Sequence, residues 1–283
     1  MRSRTAAELF LKLPLGVRLA VLHRLGRFAP WEEQFDFTPP PLAAGENAGP
    51  PDFVGIGVQK AGTSWWYSLI TAHPGVTDHS HIHKERHFLS RFGSQPFSDA
   101  EIERYHGWFP RSPGTMAGEW TPDYMWFPWV APLMKRAAPQ ARILVMLRDP
   151  VERFRSGLAH QIRDGKKRTG ATVTEVIDRG FYDRQLSGWE QFLTAGQILV
   201  LQFEQCVKEP EIQLARTYRF LGLDDSFKPA HVSSRVNETT TTSPSIDPEV
   251  RARLKEIYEP DVVSLVKRGV GLDLSLWPHF SGL

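Results

Sequence analysis

A chain of 283 residues with 41% hydrophobic residues has apolar mass for one large α/β domain, and its formal net charge of +2 lacks the basic excess of a nucleic-acid binder. The lone Cys206 excludes an internal disulfide framework and suits a reducing compartment. No apolar run reaches transmembrane length and the first residues lack a signal-peptide core and cleavage pattern, so a cytoplasmic protein is expected.

From the N-terminus, residues 5–28 carry apolar side chains at helical spacing with Arg18, Arg24 and Arg27 interleaved. This arm reads as a helix packed on the main domain, with weak contact to a membrane surface as the alternative. The proline-rich stretch from Thr38 to Pro51 sets it apart as a linker or extended packing segment. The expected organisation is therefore an arm and linker over 1–50 and a main domain over 51–283. A strand near 52–58 runs into the turn Gln59-Lys60-Ala61-Gly62-Thr63-Ser64, and a helix follows over about 63–72. Backbone N–H groups at a helix N-terminus favour an anion, and Lys60, Thr63 and Ser64 add donors, so this turn reads as a phosphate cradle. The nucleotide-triphosphatase loop places its lysine after the last glycine. Here Lys60 precedes Gly62 by two positions, which does not fit ATP or GTP.

Next, His79, His81, His83, Glu85 and His87 all fall on odd positions and on a strand would line one face, a conceivable zinc set. Metal sites usually draw ligands from more than one element and the run reads equally as a loop, so no metal is expected. Ser98-Asp-Ala-Glu101 is a capping-box pattern opening a helix. A short strand near 116–120 precedes an aromatic-rich helix over about 127–137. The aromatic residues Trp108, Phe109, Trp120, Tyr124, Trp126, Phe127 and Trp129 are expected to divide between the core and a cleft where they stack on sugar, lipid or aryl groups. The apolar run 141–148 reads as a strand buried on both faces. It ends in Arg148-Asp149-Pro150, a sharp strand-to-helix turn, with the helix ending near Gly165. Lys166-Lys167-Arg168 reads as a solvated helix end or a contact for an acidic acceptor. A helix near 183–194, a strand over 197–203, a polar loop around Arg235 and a helix opened by Asp247-Pro248 complete the chain. Such alternation implies an α/β fold, a parallel sheet with helices on both faces.

Two segments together resemble the sulfotransferases that use 3'-phosphoadenosine 5'-phosphosulfate. The Lys60 turn resembles their 5'-phosphosulfate loop, and Arg148 with Ser156 resembles their 3'-phosphate-binding pair. Lys84-Glu85-Arg86-His87-Phe88 and Glu119-Trp120-Thr121-Pro122-Asp123-Tyr124 are similar to elements of the carbohydrate branch, the heparan sulfate glucosaminyl sulfotransferases and their bacterial relatives. The resemblance spans about residues 50–280.

It implies a P-loop-like sulfotransferase fold and transfer of a sulfuryl group to an acceptor hydroxyl, on a carbohydrate or glycolipid. Adenosine 3',5'-bisphosphate would be the second product, and no metal would be needed. Lys60 is expected to offset charge on the leaving oxygen, and Ala61, Gly62, Thr63, Ser64 and Trp65 to line the 5'-phosphate. Arg148, Ser156 and Arg235 are expected around the 3'-phosphate. Glu85 matches the family's general base, with His87 orienting base or acceptor. Glu119, Trp120 and Tyr124 are expected on the acceptor. The heparan enzymes carry a lysine where this chain has Trp120, and that departure puts a polyanionic heparan substrate in doubt. A P-loop-type kinase and a non-catalytic nucleotide-binding module are the rival readings. The lysine placement opposes the first, and the Trp120 departure sustains the second.

Overall fold

The computed structural model describes residues 38–77, 84–163, 170–194, 196–230 and 245–283, together with Val17, Val21 and Val232. The proposed arm helix, the histidines at 79, 81 and 83, the basic run 166–168 and Arg235 lie outside the described residues.

Four strands form one parallel sheet: β1 (Phe53–Gly57), β2 (Gly118–Trp120), β3 (Arg142–Leu147) and β4 (Ile198–Gln202), in the order β2-β1-β3-β4. Central β1 is buried at every position and β3 at all but its first. Burial on both faces explains why the two strands read as unbroken apolar runs rather than alternating ones. Helices α1 (Thr63–Thr71), α2 (Asp99–His106), α3 (Val130–Ala137), α4 (Pro150–Arg163), α5 (Gly170–Asp178), α6 (Tyr182–Glu190), α7 (Phe203–Lys208), α8 (Pro210–Leu221) and α9 (Pro248–Lys267) connect and cover the strands. Asp247 caps α9 as its sequence suggests, accepting from the Glu249 N–H at 2.9 Å, with Pro248 in the first turn.

The polar stretch before β1 packs as an extended segment. Asn47 and Arg111 exchange two backbone hydrogen bonds, at 2.9 and 3.0 Å. Ser98 does precede α2, but the expected capping box does not form: Ser98 makes no side-chain cap bond. The Glu101 carboxylate instead takes Arg91 at 2.7 Å and Arg104 at 3.1 Å, both stronger charged donors than a backbone amide.

The strand order decides where a ligand can sit. From β1 the chain steps outward to β2 on one side and returns through β3 on the other. The order therefore reverses between β1 and β3, and crevices at such switch points, beyond the strand C-termini, are where open α/β sheets bind ligands. The turn after β1 carries Lys60, and the turn after β3 carries Arg148. The Val58 N–H donates to the Met146 carbonyl at 3.0 Å, tying the two turns together.

Candidate active site

The turn after β1 is shaped for close approach. Lys60 (φ 71°) and Gly62 (φ 84°) both take the left-handed backbone conformation. Gly62 occupies the N-cap of α1, and a Cβ there would lie 2.7 Å from the ring of Phe203. Only glycine satisfies both demands without strain. The early N–H groups of α1 have no carbonyl one turn back, so the helix start offers donors to an anion. One expectation changes: the Ala61 N–H closes the turn on the Val58 carbonyl at 3.3 Å and Ala61 is fully buried, so it supports the cradle rather than lining it. Trp65 is buried, with its indole N–H on the Val232 carbonyl at 3.2 Å.

Arg148 is half-buried beside this turn. Its Nη1 donates to the Lys60 carbonyl at 3.1 Å, and its guanidinium stands 4.9 Å over the Phe203 ring. Burial pulls its pKa down, and the nearby Glu204 carboxylate works against that. Ser156 follows two turns along α4, half-buried. Phe203 was not foreseen as part of this cluster. Its signal was its place directly after the C-terminal end of β4, on the same edge of the sheet as the Lys60 and Arg148 turns.

The second cluster is built on residues 84–88. Lys84 Nζ lies 2.8 Å from Glu85 Oε1 and donates to Thr63 Oγ1 at 3.4 Å. This lysine joins the turn after β1 to the carboxylate. In the sequence Lys84 stands out only as part of the Lys84–Phe88 element, because nothing local places Thr63 within its reach. His87 Nε2 is 3.3 Å from Glu85 Oε2. The two side chains meet, but not as neighbours on a strand. The segment is irregular and His87 has φ 51°, so a turn folds the imidazole onto the carboxylate. Burial works to raise the Glu85 pKa. The His87 hydrogen bond and the Lys84 ammonium outweigh it and hold the carboxyl down at about 2.

Beneath this turn lies a buried carboxylate. Glu119 is fully buried and accepts from Thr121 Oγ1 at 2.5 Å, Tyr105 OH at 2.6 Å, Tyr124 OH at 3.2 Å and the Arg86 N–H at 3.2 Å. Thr121 Oγ1 also accepts from the N–H groups of Arg86 (3.0 Å) and His87 (3.4 Å). The expectation that Glu119, Trp120 and Tyr124 touch the acceptor is corrected here, because all three are 0% exposed. Glu119 and Thr121 hold the backbone of the Glu85–His87 turn from below, and Tyr124 OH accepts from the Leu89 N–H just beyond it at 3.3 Å. Trp120 packs its ring flat against Gly55, where a Cβ would come within 2.0 Å, and donates its indole N–H to the Gly57 carbonyl at 3.1 Å. The departure at position 120 thus fills the core instead of altering the cleft surface. Among the described residues no group of three or more His, Cys, Asp or Glu side chains is arranged to hold a metal ion, and no helix is long and apolar enough to cross a membrane.

Comparison with known proteins agrees with this geometry. The profile of the sulfotransferase family matches residues 118–228. The chain is 27% identical over 245 residues to human heparan sulfate glucosamine 3-O-sulfotransferase 3B1, covering 74% of this chain and 61% of that protein. It is 27% identical to the human 3A1 enzyme over 74% of this chain and 58% of that one. The chain therefore spans about three fifths of the length of these curated relatives. A sulfotransferase crystal structure from Alicyclobacillus acidocaldarius superposes with a TM-score of 0.63 at 25% identity, covering 80% of this chain and 98% of that one. A parallel sheet with the Lys60 turn and the Arg148 turn at its switch point, together with these matches, makes the chain similar to the sulfotransferases and supports a sulfotransferase family.

Proposed function

We propose that this protein transfers a sulfuryl group from 3'-phosphoadenosine 5'-phosphosulfate to a hydroxyl of a carbohydrate or glycolipid acceptor. One observation carries the reading. Lys84 bridges Thr63 of the phosphate turn and Glu85, so a carboxylate stands beside the place where a sulfuryl group would be held. The cradle fits the donor: a glycine-bent turn at a helix start, a lysine inside it, and an arginine fork on its flank.

In the reaction the acceptor oxygen forms a bond to sulfur as the bond from sulfur to the bridging oxygen breaks. The electron pair leaves on the phosphate of adenosine 3',5'-bisphosphate, and the hydroxyl proton passes to Glu85. Lys60 offsets the charge growing on the leaving oxygen. Arg148, with Ser156, takes the 3'-phosphate.

A carboxyl held at about 2 is a weak base, since proton transfer is most effective near the operating pH. Lys84 resolves the difficulty. Once its ammonium turns to the anionic donor, Glu85 loses a main stabiliser of its charge and its basicity rises. His87 stays hydrogen-bonded to relay the proton onward. Base strength is then coupled to donor occupancy.

The test is transfer from labelled donor to a panel of sugars, glycolipids and phenols, paired with calorimetry. Wild type is expected to bind adenosine 3',5'-bisphosphate far more tightly than AMP. Arg148→Ala should shrink that gap by about 1.5–3 kcal/mol, the worth of a hydrogen bond to a charged group. Equal affinities in wild type would sink the assignment.

A further inference from the structure

We infer that the C-terminal segment of the chain, through Trp277 and His279, is a working part of the donor site and sets the position of Arg148. The inference rests on the reading of Arg148 as the 3'-phosphate ligand.

Only Arg148 and Asp149 lie between β3 and α4, so the aim of the arginine depends on how this two-residue turn is held. Asp149 is fully buried and divides its carboxylate. Oδ1 accepts from the N–H groups of Val151 (2.9 Å) and Glu152 (3.2 Å), capping α4. Oδ2 accepts from His279, through Nδ1 at 2.9 Å and the backbone N–H at 3.3 Å. Since a carboxylate only accepts, His279 Nδ1 carries the proton. The Asp149 N–H donates to Glu204 Oε1 at 3.0 Å, and the other oxygen of Glu204 takes the Trp277 indole N–H at 2.9 Å. Glu204 is also one of two carboxylates, with Glu152, that favour the charged form of Arg148. On the other side, the Arg148 carbonyl accepts from Tyr182 OH at 2.9 Å, and the Tyr182 ring lies 6.3 Å from that of Trp277.

The segment is itself anchored. Gln202, at the end of β4, exchanges two hydrogen bonds with the Asp273 backbone at 2.8 and 2.9 Å, and Trp277 and Phe280 are 0% exposed. The chain end therefore grips the ends of β3 and β4 at once, directly behind the arginine that touches the phosphate turn. A shift of the Asp149 turn moves Arg148 relative to Lys60. Loss of these contacts should weaken recognition of the 3'-phosphate in particular, because the 5'-phosphate cradle is built on β1 and α1.

The experiment is calorimetry on the full chain with adenosine 3',5'-bisphosphate and with AMP, for wild type, His279→Ala, His279→Asn and Trp277→Phe, with melting temperatures beside them. His279→Ala should lose about tenfold in bisphosphate affinity, equivalent to about 1.4 kcal/mol, and hold its AMP affinity. His279→Asn should recover most of the loss, because its amide N–H can replace the Nδ1 donor. Trp277→Phe keeps the packing and removes only the donor to Glu204, so it reports even if His279→Ala does not fold. Variants that keep the wild-type ratio of the two affinities would overturn the inference. So would equal losses for both nucleotides that track the melting temperature, which would mark the segment as structural only. A wild type that does not separate the two nucleotides would instead remove the Arg148 reading itself, and this inference with it.

Discussion

Glu85 shows how much one residue's chemistry depends on its neighbours. Its sequence context offers two basic flanks, Lys84 and Arg86, and the fold uses them differently. Lys84 pairs with the carboxylate, while the buried Arg86 guanidinium lies 5.3 Å from the Trp108 ring centre. Two measurements follow. Glu85→Gln keeps shape but cannot accept a proton, so turnover should fall by about 10²–10⁴-fold while nucleotide affinity changes little. A wild-type rate in that variant would move the base elsewhere, with His87 the first residue to examine. The second is a stability profile. The folded value of about 2 lies below the ordinary 4.5, so the unfolded chain takes up the proton first. The contribution of Glu85 is full above about pH 4.5 and is lost as pH falls toward 2. The full shift corresponds to about 3 kcal/mol, and with the side chain 28% exposed a share of about 1–2 kcal/mol is expected. Urea unfolding between pH 5 and 2.5 should therefore be less steeply pH-dependent in Glu85→Gln than in wild type, and identical profiles would contradict the pairing.

At the scale of elements, the turns matter more than the strands they follow. The cradle after β1 was legible because one strand–turn–helix unit holds all its parts within a dozen residues. The Arg148 turn was legible for the same reason. The 84–88 turn was only half legible. Its residues resemble a family element, yet its shape comes from Glu119 and Thr121, more than thirty residues away, which bind its backbone N–H groups. Glu119→Gln tests this dependence. The amide would turn an N–H toward some of the four donors, at a cost of about 1–3 kcal/mol. Transfer rate should drop while bisphosphate affinity holds, since the Arg148 turn is built separately. Parallel loss of rate and nucleotide binding would show that Glu119 supports the whole sheet and not this turn in particular.

For the whole molecule, the switch point of the sheet gathers an ammonium, a guanidinium, a carboxylate and helix-start amides. Sulfuryl transfer should thus survive dialysis against a chelator with activity within about twofold, because these groups supply the electrostatic stabilisation. Loss of activity restored by zinc would turn attention to the histidines at 79, 81 and 83. What the sequence determined by itself were the local units, a strand that reads apolar because both faces are covered, and turns whose glycine, proline and lysine spacing fixes backbone shape and charge within a few residues. Only the tertiary structure decided that Trp120 fills the space above Gly55, that Lys84 reaches Thr63, and that His279 grips Asp149. Those contacts join residues 21 to 130 positions apart, and no local periodicity encodes them. They exist because parallel strands bring distant turns to one edge of the sheet, where buried polar groups must find partners wherever the chain happens to pass.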